Sequence, residues 1–207
     1  ASADAIEPYT IEHFASMVHS GLDELISSEA EFDLAGFSFG ALIGSHLAAA
    51  AGKRCANFIA CAAAGFGPLH VQVDLLRPPT AKTPEHEARR ITEENLRRLM
   101  FARDASVDDL SVYIHGDNLT HSRFNSRRLA RGNDFLAALP KISAKLCGVW
   151  GAEDATAGGV QSIAQRELLF RRAQPDAAFH VLRGVGHWAM YEDAERFNDI
   201  VTTQLEC

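Results

Sequence analysis

The sequence predicts an α/β fold, a mostly parallel sheet flanked by helices with a helical insertion. Three observations carry this. Short apolar runs that stop at glycine recur along the chain, amphipathic helical segments lie between them, and one long charged stretch interrupts the rhythm without a strong strand signal. At 207 residues and 47% hydrophobic content, the chain suits one globular domain with a sizeable core.

From Thr10 to Ser27 the apolar residues Ile11, Phe14, Met17, Val18, Leu22, Leu25 and Ile26 recur at helical spacing, with Thr10 available as N-cap behind Pro8. This predicts a one-faced surface helix. Residues 31 to 35 form a short extended run ending at Gly36. Phe39 to Ala51 reads as a helix with Gly40, Gly44 and Ala48 four apart, so that it can press closely on a neighbour. NFIACAAAG (57 to 65), AKLCGVWG (144 to 151) and AAFHVLRG (177 to 184) are short apolar segments stopped by glycine, as expected of buried strands in a parallel sheet. A helix is expected over residues 159 to 173. Another runs from Glu192 to Leu205, with Phe197, Ile200, Val201 and Leu205 on one face. Residues 1–67 and 141–207 thus make the core. Residues 68–140, with amphipathic stretches such as PEHEARRITEENLRRLM, make a helical insertion over one end of the sheet.

A balance of 20 basic against 27 acidic residues, a net charge of -7, disfavours nucleic acid or an anionic membrane surface as the main ligand and points to a small or neutral substrate. No apolar run approaches the ~20 residues that span a bilayer. The opening ASADAIEPY has neither the basic nor the hydrophobic region of a signal peptide, so a cytoplasmic location is expected. Cys55, Cys61, Cys147 and Cys207 show no C-x-x-C pairing and read as free thiols rather than disulfides or zinc ligands. His115 and His121 flank Asp117 in HGDNLTH, but six residues on a helix set them far round from each other, so no metal site is expected, and no cofactor. Arg123, Arg127 and Arg131 fall four apart; a solvated helix face is one reading and contact with a substrate carboxylate under the insertion is the other.

In an open parallel sheet, ligands gather beyond the carboxyl ends of the strands. Ser38 follows the first strand inside GFSFG, where glycines relieve crowding at a sharp strand-to-helix turn and leave the hydroxyl exposed. Chance alone produces G-x-S-x-G in roughly one chain of this size in ten to twenty, so the context decides. The helix beginning after Ser38 aims its free amides at the same spot, and the amide of Phe39 is a candidate oxyanion donor. A serine hydroxyl needs a base, and the base a third group to orient it. Asp154 follows a strand in GAED and His187 follows one in GVGHW, in the chain order expected for a nucleophile elbow.

Taken together, GFSFG, WGAED and GVGHW resemble the nucleophile, acid and histidine segments of the α/β-hydrolase fold superfamily. The resemblance covers most of the chain and implies Ser38 as nucleophile, His187 as base and Asp154 as the orienting acid. Glu153 is the rival for the acid, but the third position after Gly151 is where the family usually carries it. The insertion, with NLRRLMFARDASVDDL, loosely resembles the lid of hydrolases that cut carbon-carbon bonds in ring-cleavage products. Phe37 stands where those enzymes often carry a polar residue. Phe37 and Trp188 are the expected substrate-lining residues, with packing as the alternative for Trp188.

The family normally carries several strands before the elbow, including a loop that supplies a second oxyanion donor. Only 37 residues precede Ser38 here. At about 30 residues per βαβ unit, on the order of 60 to 90 residues are missing from the pattern, an N-terminally shortened fold. Either the chain is part of a longer polypeptide, or the sheet edge is covered by something else, such as a second copy in a homo-oligomer. The expected activity is that of a serine hydrolase on a small ester, lactone or activated ketone. Carbon-carbon bond hydrolysis and a non-catalytic binding role are the alternatives.

Overall fold

The computed structural model describes residues 10–80, 82–122 and 124–206. Arg123, Cys207 and the opening segment lie outside the described residues. Strands β1 (Phe32–Phe37), β2 (Cys55–Cys61), β3 (Lys145–Gly151) and β4 (Ala178–Leu182) form one sheet in the order β1-β2-β3-β4, every neighbour parallel. Because the strands are parallel and sequential, all their carboxyl ends lie on one side. Ser38, Asp154 and His187, which follow β1, β3 and β4, are thereby delivered to that side from distant parts of the sequence.

Central strands β2 and β3 are buried almost throughout, as expected when both faces are covered. At the edge, β1 alternates between half-buried and exposed residues over most of its length. It runs on through Phe37, past the expected stop at Gly36. β2 ends at Cys61, four residues early, because Ala62 turns out of the strand at a φ of 46°.

Helix α1 (Ile11–Leu25) begins as expected: the Thr10 hydroxyl accepts the His13 amide at 3.2 Å. Its apolar stripe is only partly used. Ile11 and Ala15 are buried and the helix packs on α2 (Phe39–Ala51), whereas Met17, Val18 and Leu25 are exposed, Leu25 to 82%. The insertion holds α3 (Glu85–Leu99) and α4 (Asp109–His121), which pack on each other, then the short α5 (Arg127–Ala130) and α6 (Asp134–Ala138). Phe135 of α6 is fully buried, stacked on Phe66 at 4.8 Å and facing Phe58 and Phe170. Helix α7 (Val160–Ala173) packs on β3. The expected terminal helix is α9 (Ala194–Glu206), which starts two residues late; a separate short turn, α8 (Ala189–Glu192), precedes it, the two parted at Asp193, whose backbone leaves the helical region at ψ 65°.

Candidate active site

The elbow is built by backbone geometry. Ser38 has a φ of 51°, in the left-handed region that costs a non-glycine residue energy, and hydrogen bonds on both sides hold it there. Its amide donates to Cys61 O at 2.9 Å, and its carbonyl accepts from Leu42 at 3.2 Å and Ala64 at 3.1 Å. At residue 36 an added Cβ would lie 2.6 Å from the Ala41 Cα, so α2 can turn back over the strand only because Gly36 has none. Gly40 is different: nothing lies within 4 Å of a Cβ there. The crowding expected at both glycines of the motif is therefore confined to Gly36. Close helix packing is likewise found at Gly44, whose Cβ would meet Phe58 at 3.1 Å, and not at Gly40. Phe39 is the first residue of α2, where no preceding helical turn offers its amide an acceptor.

His187 lies with Nε2 3.0 Å from Ser38 Oγ and Nδ1 2.9 Å from Asp154 Oδ2. Both His187 and Asp154 are 3% exposed. An ionised carboxylate only accepts, so the Nδ1 proton faces Asp154 and Nε2 is left to accept from the Ser38 hydroxyl. Burial alone would raise the Asp154 carboxyl. The facing His187 ring and hydrogen bonds from His187 and Thr156 outweigh it and hold Asp154 below its ordinary value. Thr156 supplies two of these bonds, from N and Oγ1 to Oδ1, each 2.8 Å.

Glu153, the rival acid, does something else. Its Oε2 accepts the Val185 amide at 3.0 Å, and its own amide donates to Val185 O at 3.0 Å. It fixes the histidine loop while Asp154 meets the ring. From the other side the buried carboxylate of Glu192 accepts the amides of Gly186 at 2.5 Å, Ala102 at 3.0 Å and Arg103 at 2.7 Å. Met100 O accepts the Trp188 amide at 2.9 Å. A Cβ at residue 186 would sit 2.7 Å from Met100 O, so the insertion reaches this loop only across a glycine.

A cavity of about 250 Å³ opens over Ser38 and His187. Its walls include Phe39, His70, Asn95, Met100, His115, Arg127 and Arg131, and no Asp or Glu among the described residues. Phe37 and Trp188 are not among the lining residues. Phe37 packs on the His187 ring at 5.0 Å, and the Trp188 ring is taken up by Phe101, stacked at 5.6 Å, and by Tyr191 at 4.8 Å. His115 lines the cavity from α4, and burial lowers its basicity. His121 instead bonds back to Asp117 O at 2.9 Å. The thiols of Cys55, Cys61 and Cys147 are free and buried; burial pushes Cys55 up to about 11 and Cys147 to about 12, so these two stay protonated and unreactive at neutral pH. Sequence reasoning missed Thr156, Glu192 and Arg166, a fully buried arginine of α7.

The pattern of the Alpha/beta hydrolase family matches residues 3–200, and the chain belongs to that family. A 2-hydroxy-6-oxononadienedioate/2-hydroxy-6-oxononatrienedioate hydrolase of Pseudomonas putida is 34% identical over 129 residues, 56% of this chain and 42% of the relative. Its counterpart from Paraburkholderia xenovorans LB400 is 30% identical over 55% of this chain and 42% of its own length. The matched segment thus spans less than half of these curated relatives. Among solved structures, a bromoperoxidase from Bacillus anthracis superposes with a TM-score of 0.72 at 18% identity, covering 100% of this chain and 78% of that one. A meta-cleavage product hydrolase from Pseudomonas fluorescens IP01 gives 0.68 at 16% identity, covering 98% and 75%. At these identities the superpositions speak for the fold. Among the described residues no helix is long and apolar enough to cross a membrane.

Proposed function

We propose that the chain is a serine hydrolase acting on a small ester, lactone or activated ketone. Ser38 Oγ attacks the carbonyl carbon while His187 Nε2 takes the hydroxyl proton. The amide of Phe39 donates to the oxyanion that forms. Collapse of that intermediate expels the leaving group, which receives the proton from His187, and an ester leaves an acyl-enzyme on Ser38. Water, deprotonated by His187, then releases the acid. Asp154 fixes the ring tautomer and stabilises the imidazolium in both halves. One observation carries the reading: the line of hydrogen bonds from Ser38 Oγ to His187 Nε2 at 3.0 Å and from Nδ1 to Asp154 at 2.9 Å, made by residues 149 and 33 positions apart.

A second reading, hydrolysis of a carbon-carbon bond in a ring-cleavage product, uses the same groups on a substrate that carries a carboxylate. It is favoured by Arg127 and Arg131, which line a cavity without an acidic residue and have no carboxylate partner among the described residues. The names of the curated relatives, hydrolases of dioates, agree with it. A third, binding without catalysis, has in its favour that β1 pairs on one side alone among the described residues.

Labelling of the purified chain with a fluorophosphonate, mapped by mass spectrometry with Ser38→Ala as control, tests the first two against the third. Modification confined to Ser38 is expected. An unlabelled chain would sink both hydrolase readings.

A further inference from the structure

Arg166 has a side chain that the chemistry above does not use, buried where burial is costly. The residue is 1% exposed, and among the described residues no carboxylate pairs with it. Taking a guanidinium out of water costs several kcal/mol unless its donors are satisfied. Burial pushes Arg166 down to about 10, with the charge of Asp154 pulling the other way, so it remains a cation at neutral pH.

Its Nη donors go to three segments, while the equally buried Nε has no hydrogen-bond partner among the described residues. Nη1 bonds Ala157 O at 2.8 Å, in the loop that carries Asp154 and Thr156, and Ser162 O and Oγ at 3.1 and 2.9 Å. Nη2 bonds Leu69 O at 2.7 Å, next to His70 in the cavity wall. The guanidinium carbon lies 5.0 Å from the centre of the Phe66 ring. One further bond joins the same two segments, Val71 N to Thr156 O at 2.9 Å. The acid loop and the cavity wall are therefore held to each other by one direct bond and by a cation that neither supplies.

We infer that Arg166 is a positioning residue for the proposed hydrolase site. Its fork locks the loop bearing Asp154 against the wall bearing His70, and so sets where that carboxylate meets the His187 ring. The inference rests on the serine-hydrolase reading for its kinetic arm only. The titratable groups around Asp154 are His187, His70 and the Cys61 thiol, with Arg131 acting on His70 in turn. Burial and then the Asp154 charge raise Cys61, keeping it neutral, while burial and then Arg166 lower His70. Loss of Arg166 would thus raise both Asp154 and His70, and a His70→Gln background separates the two.

The experiment compares the wild-type chain with Arg166→Met, which loses charge and fork, and Arg166→Lys, which keeps the charge alone. Three quantities are read: kcat and KM on an ester, the pH of half-maximal kcat on the acid side, and the pH at which the downfield His187 Nδ1 proton disappears from the NMR spectrum. For Arg166→Met, kcat should fall about 10- to 100-fold, the change expected from losing one or two charge-assisted bonds. KM should move far less, and both pH midpoints should move upward. For Arg166→Lys the midpoints should return toward wild type while kcat recovers only in part. If Arg166→Met does not fold, Arg166→Gln takes its place with the same expectation. Unmoved midpoints in the uncharged variant, whatever its kcat, would overturn the inference. The NMR midpoints need no turnover, so a chain that hydrolyses nothing but shows the shift would refute the hydrolase reading alone.

Discussion

The floor and the roof of the cavity are made differently. On the floor, Ser38, Asp154 and His187 stand at strand ends, with Asp154 and His187 buried and the backbone of every supporting loop hydrogen-bonded to a neighbour. In the roof, the ion pairs are exposed ones, Arg89–Glu93 and Arg98–Glu94 within α3 and Arg89–Asp109 from α3 to α4, which add little to stability. Arg127 and Arg131 are likewise exposed at its rim. Under the proposed hydrolase reading, the floor would hold the reacting groups and the roof would set which molecule reaches them. The two meet at a few points, of which Glu192 is the most heavily bonded.

That division is open to breakage, beginning where the effect is greatest. Asp154→Asn, which keeps the shape of the floor but reverses the tautomer it imposes on His187, should lower kcat about 10⁴-fold with little change in thermal stability. A variant within tenfold of wild type would assign the acid role elsewhere. Glu192→Gln at the seam leaves one of the gathered amides facing another donor and should cost about 2–3 kcal/mol, read as a fall in melting temperature of roughly 5–10 °C. An unchanged melting temperature would mean that the roof is not held there.

Thr156→Val is a finer cut. It removes the hydroxyl donor to Asp154 Oδ1 and should cost about tenfold in kcat. The sign of the pH effect follows from the lowered carboxyl. Its contribution is complete above the ordinary carboxylate value and is lost as pH falls through the lower folded value. With one donor gone the folded value rises, so the acid limbs of activity and stability should both move to higher pH, and limbs that stay in place would contradict this. The smallest effect belongs to the roof. Arg131→Gln should raise KM for a carboxylate-bearing ester about three- to tenfold, with a smaller change for its neutral analogue. Equal changes for both would deny the rim a part in selection.

The positions of Ser38, Asp154 and His187 were legible as neighbours in space, because a polar residue shortly after an apolar run is a local pattern and parallel strands bring such residues to one side of the sheet. The choice of Asp154 over Glu153 agrees with the geometry, in which Asp154 meets the ring and Glu153 the Val185 amide. What escaped was what depends on distant contacts. Glu192 and Arg166 look in sequence like ordinary surface charges on helices, and nothing local announces that each is buried among main-chain groups from a remote segment. The stripe of α1 errs in the opposite sense: its spacing promised burial for Met17, Val18 and Leu25, and among the described residues only Ile11 and Ala15 are buried, while its later turns are tied down by Arg54 through Asp23. Trp188 and Phe37 carried the right chemistry for a pocket wall, but neighbouring rings claimed them. Gly40 satisfied a motif without satisfying its steric reason.

The seam at Glu192 also sets a timetable for biosynthesis. Its carboxylate and the Ala102 amide that it accepts are 90 residues apart. At ~5–20 residues per second, the end of α3 emerges from the ribosome roughly 5–20 s before the group that will anchor it. β1 and β2 can pair, and Ser38 can adopt its turn, well within that interval, yet the histidine loop and its anchor arrive together, within six residues of each other. A nascent chain can therefore hold the Ser38 turn before His187 and the Glu192 carboxylate have emerged to meet it.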